Sequence, residues 1–228
     1  MPQRCLKRFD MKAKIVSYCK IKNNTVWVNG EKFYVDNQSV DITTFLAHLY
    51  KQLNLNYPKF FKMDNLCKLG ILATELAIQN NSEFNNYEKD KVAISLSNNS
   101  SSIETDRNHI KTIADKNQYF PSPSLFVYTL PNIIIGEIAI KYKLTGENSF
   151  FISEKFDENL MCTYDSILLN EAQSSHTTAV IGGWVNVDGN EGEGFIYCLE
   201  KANFNPDRTG FSSSYNSETI HKFYNKTE

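Results

Sequence analysis

Between Gly146 and Cys162 the chain reads GENSFFISEKFDENLMC: a β-rich run, an abrupt charged turn and the start of a helix. Enzymes mount nucleophiles on such turns, because the helix that follows directs free N–H groups and the positive end of its dipole at an anion or thiolate. This turn offers Ser153, Glu154, Lys155 and Asp157. Ser153 could attack an acyl carbonyl if a base lay beside it. Lys155 could form a Schiff base or hold an anion, as lysines in apolar pockets do. The simpler reading is a solvated Lys155 paired with Asp157 or Glu154. Cys162 follows about two turns into the helix, where the dipole no longer acts. It reads as a packing cysteine, with a displaced nucleophile as the alternative.

Elsewhere the candidates thin out. The loop DGNEGEG brings together Asp188, Glu191 and Glu193, which invites a cation, but it joins two β-rich runs and reads as a turn. Its glycines, Gly189, Gly192 and Gly194, precede a strand and not the helix that a dinucleotide-binding loop requires. The five cysteines (Cys5, Cys19, Cys67, Cys162 and Cys198) are odd in number, widely spaced and without a C-x-x-C pair, so free thiols are expected rather than disulfides or a zinc site. No metal and no cofactor is implied. Of the four histidines, His48 and His109 fall on predicted helices away from the turn, His176 precedes a strand and His221 lies in the C-terminal tail.

The turn needs a scaffold, and the composition supplies one. A chain of 228 residues, 41% hydrophobic, with 15 Phe, 12 Tyr and 2 Trp, can bury a sizeable core. Its net charge is −2 and its Lys and Arg form no stripe, which argues against nucleic acid as a partner. No 18 apolar residues run together, and the basic N-terminus lacks the apolar core of a secretory signal, so a cytoplasmic protein without a membrane span is expected. Ala13 to Cys19 reads as a strand, and NTVWVNGEKFYVD as a hairpin around Asn29-Gly30. Asp41 caps a helix carrying Phe45, Leu46, Leu49 and Leu53 on one face. A largely buried helix lies within residues 63–80, a strand follows from Asp90, and a more polar helix spans 104–117. The proline-punctuated FPSPSLFVY is a plain loop or a partner-binding one, and IIIGEIAIKYK is a buried helix ending near Gly146. A helix over 157–173 and two closing strands joined by a tight turn complete an α/β order. The tail predicts a short helix around Glu218 to Tyr224.

Three stretches together resemble the β-ketoacyl-[acyl-carrier-protein] synthases of the thiolase-like superfamily. KMDNLCKLGILATELAI is similar to the family's M-D helix, and SPSLFVYTLPNIIIGEIAIKYKLTGENSFFIS to the segment in which a buried helix feeds the strand before the nucleophile. AVIGGWVNVDGNEGEGFIYCLE is similar to its Gly-Gly strand and G-E-G…L-E strand, and the order and spacing of all three agree. The resemblance covers residues 13–200, between an arm (1–12) and a tail (201–228), and corresponds to the N-terminal half of a ketosynthase alone. It implies a three-layer α/β/α thiolase-like half with a five-stranded mixed sheet. The family's nucleophilic cysteine lies nine residues after the glycine that ends the preceding helix, which here is Lys155; neither Glu154 nor Phe156 replaces it. A lysine cannot carry the acyl thioester, and the family's histidines or His/Asn pair come from the C-terminal half.

The helix after the turn carries one stripe of Leu160, Met161, Tyr164, Ile167 and Leu168, and an opposite one of Glu158, Asn159, Thr163, Ser166, Asn170 and Gln173. It is therefore expected to be buried on one side only. Family members pair the strand before the nucleophile across a two-fold axis, which implies an interface at Ser149, Phe150, Phe151, Ile152 and Ser153. The implied assembly is a homodimer, or a heterodimer with a full-length ketosynthase, with acyl carrier protein as a further partner. The expected function is that of a catalytically inactive accessory protein in fatty-acid, polyketide or aryl-polyene type biosynthesis. The alternatives are an acyltransferase using Ser153 or Cys162, and a stand-alone acyl- or pantetheine-binding module.

Overall fold

The computed structural model describes residues 13–117, 119–170, 176–205 and 209–226. The N-terminal arm with Cys5, and the end of the predicted 157–173 helix with Gln173, lie outside the described residues.

The first strand, β1 (Ala13–Lys22), is longer than its apolar run suggests, and this length shapes the sheet. Two tight turns follow, at Asn23-Asn24 (φ 49° and 53°) and at Asn29-Gly30 (φ 52° and 86°). Positive φ at both corners is what two-residue hairpin turns demand, and Asn and Gly supply it with least strain. These turns lay down β2 (Thr25–Val28) and β3 (Glu31–Val35). Asp41 accepts from the Thr44 amide to start α1 (Ile42–Gln52), and Asp64 accepts from the Cys67 amide to start α2 (Asn65–Gln79). Then come β4 (Val92–Asn98), α3 (Ile103–Ile113), a single turn α4 (Pro123–Phe126) continued to Thr129 as 3-10 helix, and α5 (Ile133–Tyr142). The helix α5 stops earlier than its sequence predicts, because Lys143 adopts the left-handed conformation (φ 59°) and Leu144 N–H closes on the Ala139 carbonyl. Gly146 serves the next step: a Cβ there would stand 2.3 Å from the Val92 carbonyl oxygen, where the chain enters β5 (Asn148–Ile152). The remaining elements are α6 (Glu158–Leu168), β6 (Ala179–Asp188), β7 (Glu191–Lys201), β8 (Ser213–Ser214) and α7 (Ser217–Asn225).

The strands form one mixed sheet in the order β3-β2-β1-β7-β6-β4-β5. Strands β4, β5 and β6 run parallel, while β7 is antiparallel to both β6 and β1. The predicted five core strands are its centre, β1-β7-β6-β4-β5, but the sheet is wider than five. The ten-residue β1 has one side filled by β7, and its other side accepts β2 at Cys19–Lys22 and β8 at Lys14 and Ile15. On one face α1, α2 and α5 bury a core that includes Phe45, Leu49, Leu72 and Ile134. On the other face α6 and the tail cover an aromatic core of Tyr18, Phe156, Trp184, Phe195 and Tyr197. The tail is thus part of the fold: Ile220 is fully buried there, with Phe211, Tyr215, Phe223 and Tyr224 packed around it.

Gly182 of β6 lies under the fully buried ring of Tyr197, and a Cβ at that position would be 2.3 Å from the ring edge. Gly182→Ala is expected to cost about 1–3 kcal/mol by overpacking, seen as a lower denaturant midpoint with unchanged slope.

Candidate functional site

The three parallel strands β4, β5 and β6 bring their C-terminal ends to the same side of the sheet. The turn after β5 is fixed there by Ser153, whose amide donates to the Asn98 carbonyl (2.9 Å) and whose hydroxyl donates to the Lys155 carbonyl (2.8 Å). Phe156 turns inward, 4% exposed, with its ring set edge-on to Trp184 and Phe195 and 4.6 Å from Tyr224. Asp157 then caps α6, accepting from the amides of Asn159 (3.0 Å) and Leu160 (2.9 Å).

This geometry settles where each predicted residue lies. Lys155 is exposed, two residues outside the helix cap, and makes no ion pair with Glu154 or Asp157 among the described residues. The helix N-terminus is already served by the Asp157 carboxylate, so the dipole bears on Asp157 and not on Lys155. The Ser153 hydroxyl is spent on a backbone carbonyl, with no imidazole, amine or carboxylate side chain bonded to it among the described residues. Cys162 is half-buried in the second turn of α6, and burial pushes its thiol up to about 12, which leaves it protonated at neutral pH. Ser149, Phe150, Phe151 and Ile152 form the edge strand of the sheet, paired with β4 on one side only among the described residues. Asp188 and Glu191 face each other across the β6–β7 turn, and Glu193 bonds Lys22 (2.7 Å) and Tyr224 (2.8 Å). Among the described residues no group of three or more His, Cys, Asp or Glu side chains could hold a metal ion. No single helix there is long and apolar enough to cross a membrane.

Two features escape the sequence reading. His221 of α7 is bonded through Nδ1 to Glu158 in the first turn of α6, which places one histidine beside the helix that follows the turn. Its Nε2 faces the side-chain amide of Asn225 (3.1 Å) and not the turn residues. The other is Asp165, fully buried between α6 and the sheet, which accepts hydrogen bonds from Ser95, Tyr197 (2.8 Å) and Tyr215 (2.5 Å). It lies four after Met161 and three before Leu168, the buried residues that flank it on α6, a spacing that by itself does not distinguish a buried carboxylate from a solvated one. The buried stripe is therefore Met161, Asp165 and Leu168, while Ile167 of the predicted apolar stripe faces solvent at 37% exposure.

A cleft of about 170 Å³ opens near the ends of β4 and β6, lined by Asp64, Ser101, Ser102, Glu104, Thr105 and Leu125 among others. It is smaller than the roughly 300–1,000 Å³ of ordinary small-molecule pockets.

No family model matches the chain, and no curated protein matches it in sequence. Its likeness is to solved structures. The ishigamide ketosynthase/chain length factor superposes with a TM-score of 0.62 at 13% identity, over 85% of this chain and 63% of that one. AntDE:AntF, a type II PKS acyl-carrier protein in complex with its ketosynthase bound to the hexaketide, gives 0.61 at 11% identity, over 87% of this chain and 65% of that one. A ketosynthase (ApeO) in complex with its chain length factor (ApeC) from Xenorhabdus doucetiae gives 0.51 at 14% identity, over 84% of this chain and 79% of that one. The fold is the thiolase-like fold of the ketosynthases. The chain spans less than two thirds of the length of the first two of these structures.

Because Phe156 anchors the turn and Lys155 only decorates it, Phe156→Ala is expected to cost about 3–5 kcal/mol of stability. Lys155→Ala should stay within about 0.5 kcal/mol. Chemical denaturation of the two variants side by side checks this ordering.

Proposed function

We propose that this protein is a catalytically inactive, ketosynthase-like accessory subunit in an acyl-chain-building pathway of the fatty-acid, polyketide or aryl-polyene type, and that it corresponds to the N-terminal half of a ketosynthase. The observation that carries the proposal is the turn after β5. In a ketosynthase fold it presents an exposed Lys155 where the resemblance puts the nucleophile, with Ser153 bonded to backbone and the Cys162 thiol protonated. A turn without a cysteine offers no thiol for an acyl thioester, which supports this reading. Two of the similar structures are described as a ketosynthase with its chain length factor, and a third as a ketosynthase with its acyl-carrier protein, which supports a role beside an active partner.

The surface for that partner is the β5 edge. The strands at the two ends of the main order, β3 and β5, differ in chemistry. On β3, Glu31 and Lys32 are exposed, and its pairing with β2 is broken by a register shift, features that discourage strand addition. On β5 the five residues Asn148–Ile152 carry no charge, and Ile152 is 53% exposed. An uncharged edge of Ser, Phe and Ile is suited to pairing with a neighbouring strand, in a homodimer or against a full-length ketosynthase, with acyl carrier protein recruited to the pair.

Affinity capture of the tagged protein from its native cell extract is expected to recover a ketosynthase in near-stoichiometric amount. Ile152→Arg, which alters an exposed side chain, is expected to reduce that recovery at least tenfold while leaving the thermal midpoint of the isolated chain unchanged. A clean homodimer without such a partner would sink the heteromeric form. A mass increase on incubation with acylated carrier protein would instead favour an acyltransferase using Ser153 or Cys162.

A further inference from the structure

The tail crosses the sheet face that carries α6. Its two-residue strand β8 pairs with β1, and α7 lays Ile220, Phe223 and Tyr224 on the aromatic core. Polar side-chain contacts hold it down. Tyr215 donates to Asp165, His221 meets Glu158, Tyr224 donates to Glu193, and the buried Lys20 ammonium donates to the carbonyls of Tyr224 (2.5 Å) and Lys226 (3.2 Å) at the C-terminal end of α7. Asp165 and Lys20 are the buried partners on the body of the protein.

Asp165 meets a different group from each element packed on it. Strand β4 contributes Ser95, β7 contributes Tyr197, and the tail contributes Tyr215, all as hydroxyl donors. On α6 itself the other titratable groups are the protonated Cys162 thiol, Tyr164, which bonds Ser149 of β5, and Glu158, which bonds His221 of α7. Strand β6 brings Val180, Gly182 and Trp184 to this side, none of them titratable, with Gly182 against the Tyr197 ring and Trp184 against Phe156. No lysine, arginine or histidine pairs with Asp165 among the described residues. A carboxylate enclosed without a cation is paid for only by its hydrogen bonds, and one of its three donors belongs to the tail.

We propose that the segment from Phe211 to Lys226 is a strap whose closure over the sheet is linked to the protonation of Asp165. With the strap closed, the neutral acid is the better occupant of the enclosed site, since it carries no charge to desolvate. Lifting the strap removes Tyr215 and lets water reach the carboxylate, which favours the anion. Burial raises the group from its ordinary 3.8 to about 6 in the closed form, the three hydroxyl donors opposing that rise. The closed form therefore binds the proton more tightly than the open one, so its advantage is full below pH 4, declines as pH rises to about 6, and is constant above that. The inference concerns the tail alone and stands whether or not the protein partners a ketosynthase.

Hydrogen exchange of the full chain, read by mass spectrometry and corrected for the intrinsic pH dependence of exchange, tests it. Amides of α7 are expected to be about tenfold less protected at pH 7 than at pH 5, the factor that follows from values of 3.8 and about 6 in the open and closed forms. Amides of α2, on the opposite face, should not follow. Asp165→Asn should abolish the pH dependence in α7, and Tyr215→Phe, which removes only the strap's hydroxyl, should lower α7 protection at both pH values. Protection in α7 that is independent of pH in the unmodified protein would overturn the proposal, without recourse to either variant. Equal changes in α7 and α2 would also overturn it, since they would report global unfolding.

Discussion

Tyr197 is the side chain on which the two layers of the α6 face depend. Its ring is enclosed because Gly182 on the adjacent strand leaves room for it, and its hydroxyl reaches Asp165 on the helix above. Because a phenol can bury its ring and still offer a donor, the sheet presents an apolar floor and a polar contact from one residue. Asp165, so satisfied, can accept a second phenol from the tail, and the tail can then lay its own aromatic residues over β1 and β7. Replacing any one partner leaves a buried polar group short of a bond, so sheet, helix and tail are tied together through one carboxylate.

The turn between β5 and α6 holds its shape without calling on its most exposed cation. Its geometry is maintained by residues on either side of Lys155: Ser153 closes the turn, Phe156 plugs the core and Asp157 caps the helix. None of these contacts involves the Lys155 side chain, so the position is free to vary as far as folding is concerned. A thiolate at this site would also need a donor or a dipole directed at it, and the Asp157 carboxylate already occupies the helix terminus.

Much of this was legible in the sequence, for local reasons. Asp41, the Asn29-Gly30 pair and the alternation of apolar runs report on their own backbone neighbourhood, so the caps, one hairpin and the α/β order can be read directly. The Asn23-Asn24 turn was missed because neither residue is a glycine, although both adopt left-handed angles. The place of the β2–β3 hairpin on the sheet, and the short β8, were missed because the capacity of β1 to pair on both sides is a property of its length in space, not of its composition. Asp165 was unreadable for a different reason: a carboxylate on an amphipathic helix signals solvent unless its three donors, which come from residues 95, 197 and 215, are known to converge on it. The tail's aromatic residues are spaced singly among polar ones, so their common face emerges only once α7 is laid against the sheet.

The unequal outer strands carry a consequence for stoichiometry. A sheet open at both ends can be extended indefinitely, each added copy exposing a fresh end for the next, and that is the route to fibres. Among the described residues Glu31, Lys32 and the irregular β2–β3 register discourage addition at one end, so in the proposed assembly a strand added at β5 would use up the less charged of these two ends. Growth by that route would then stop after a single step. The proposed pairing gives the sheet in effect a valence of one, suited to a pair and not to a polymer.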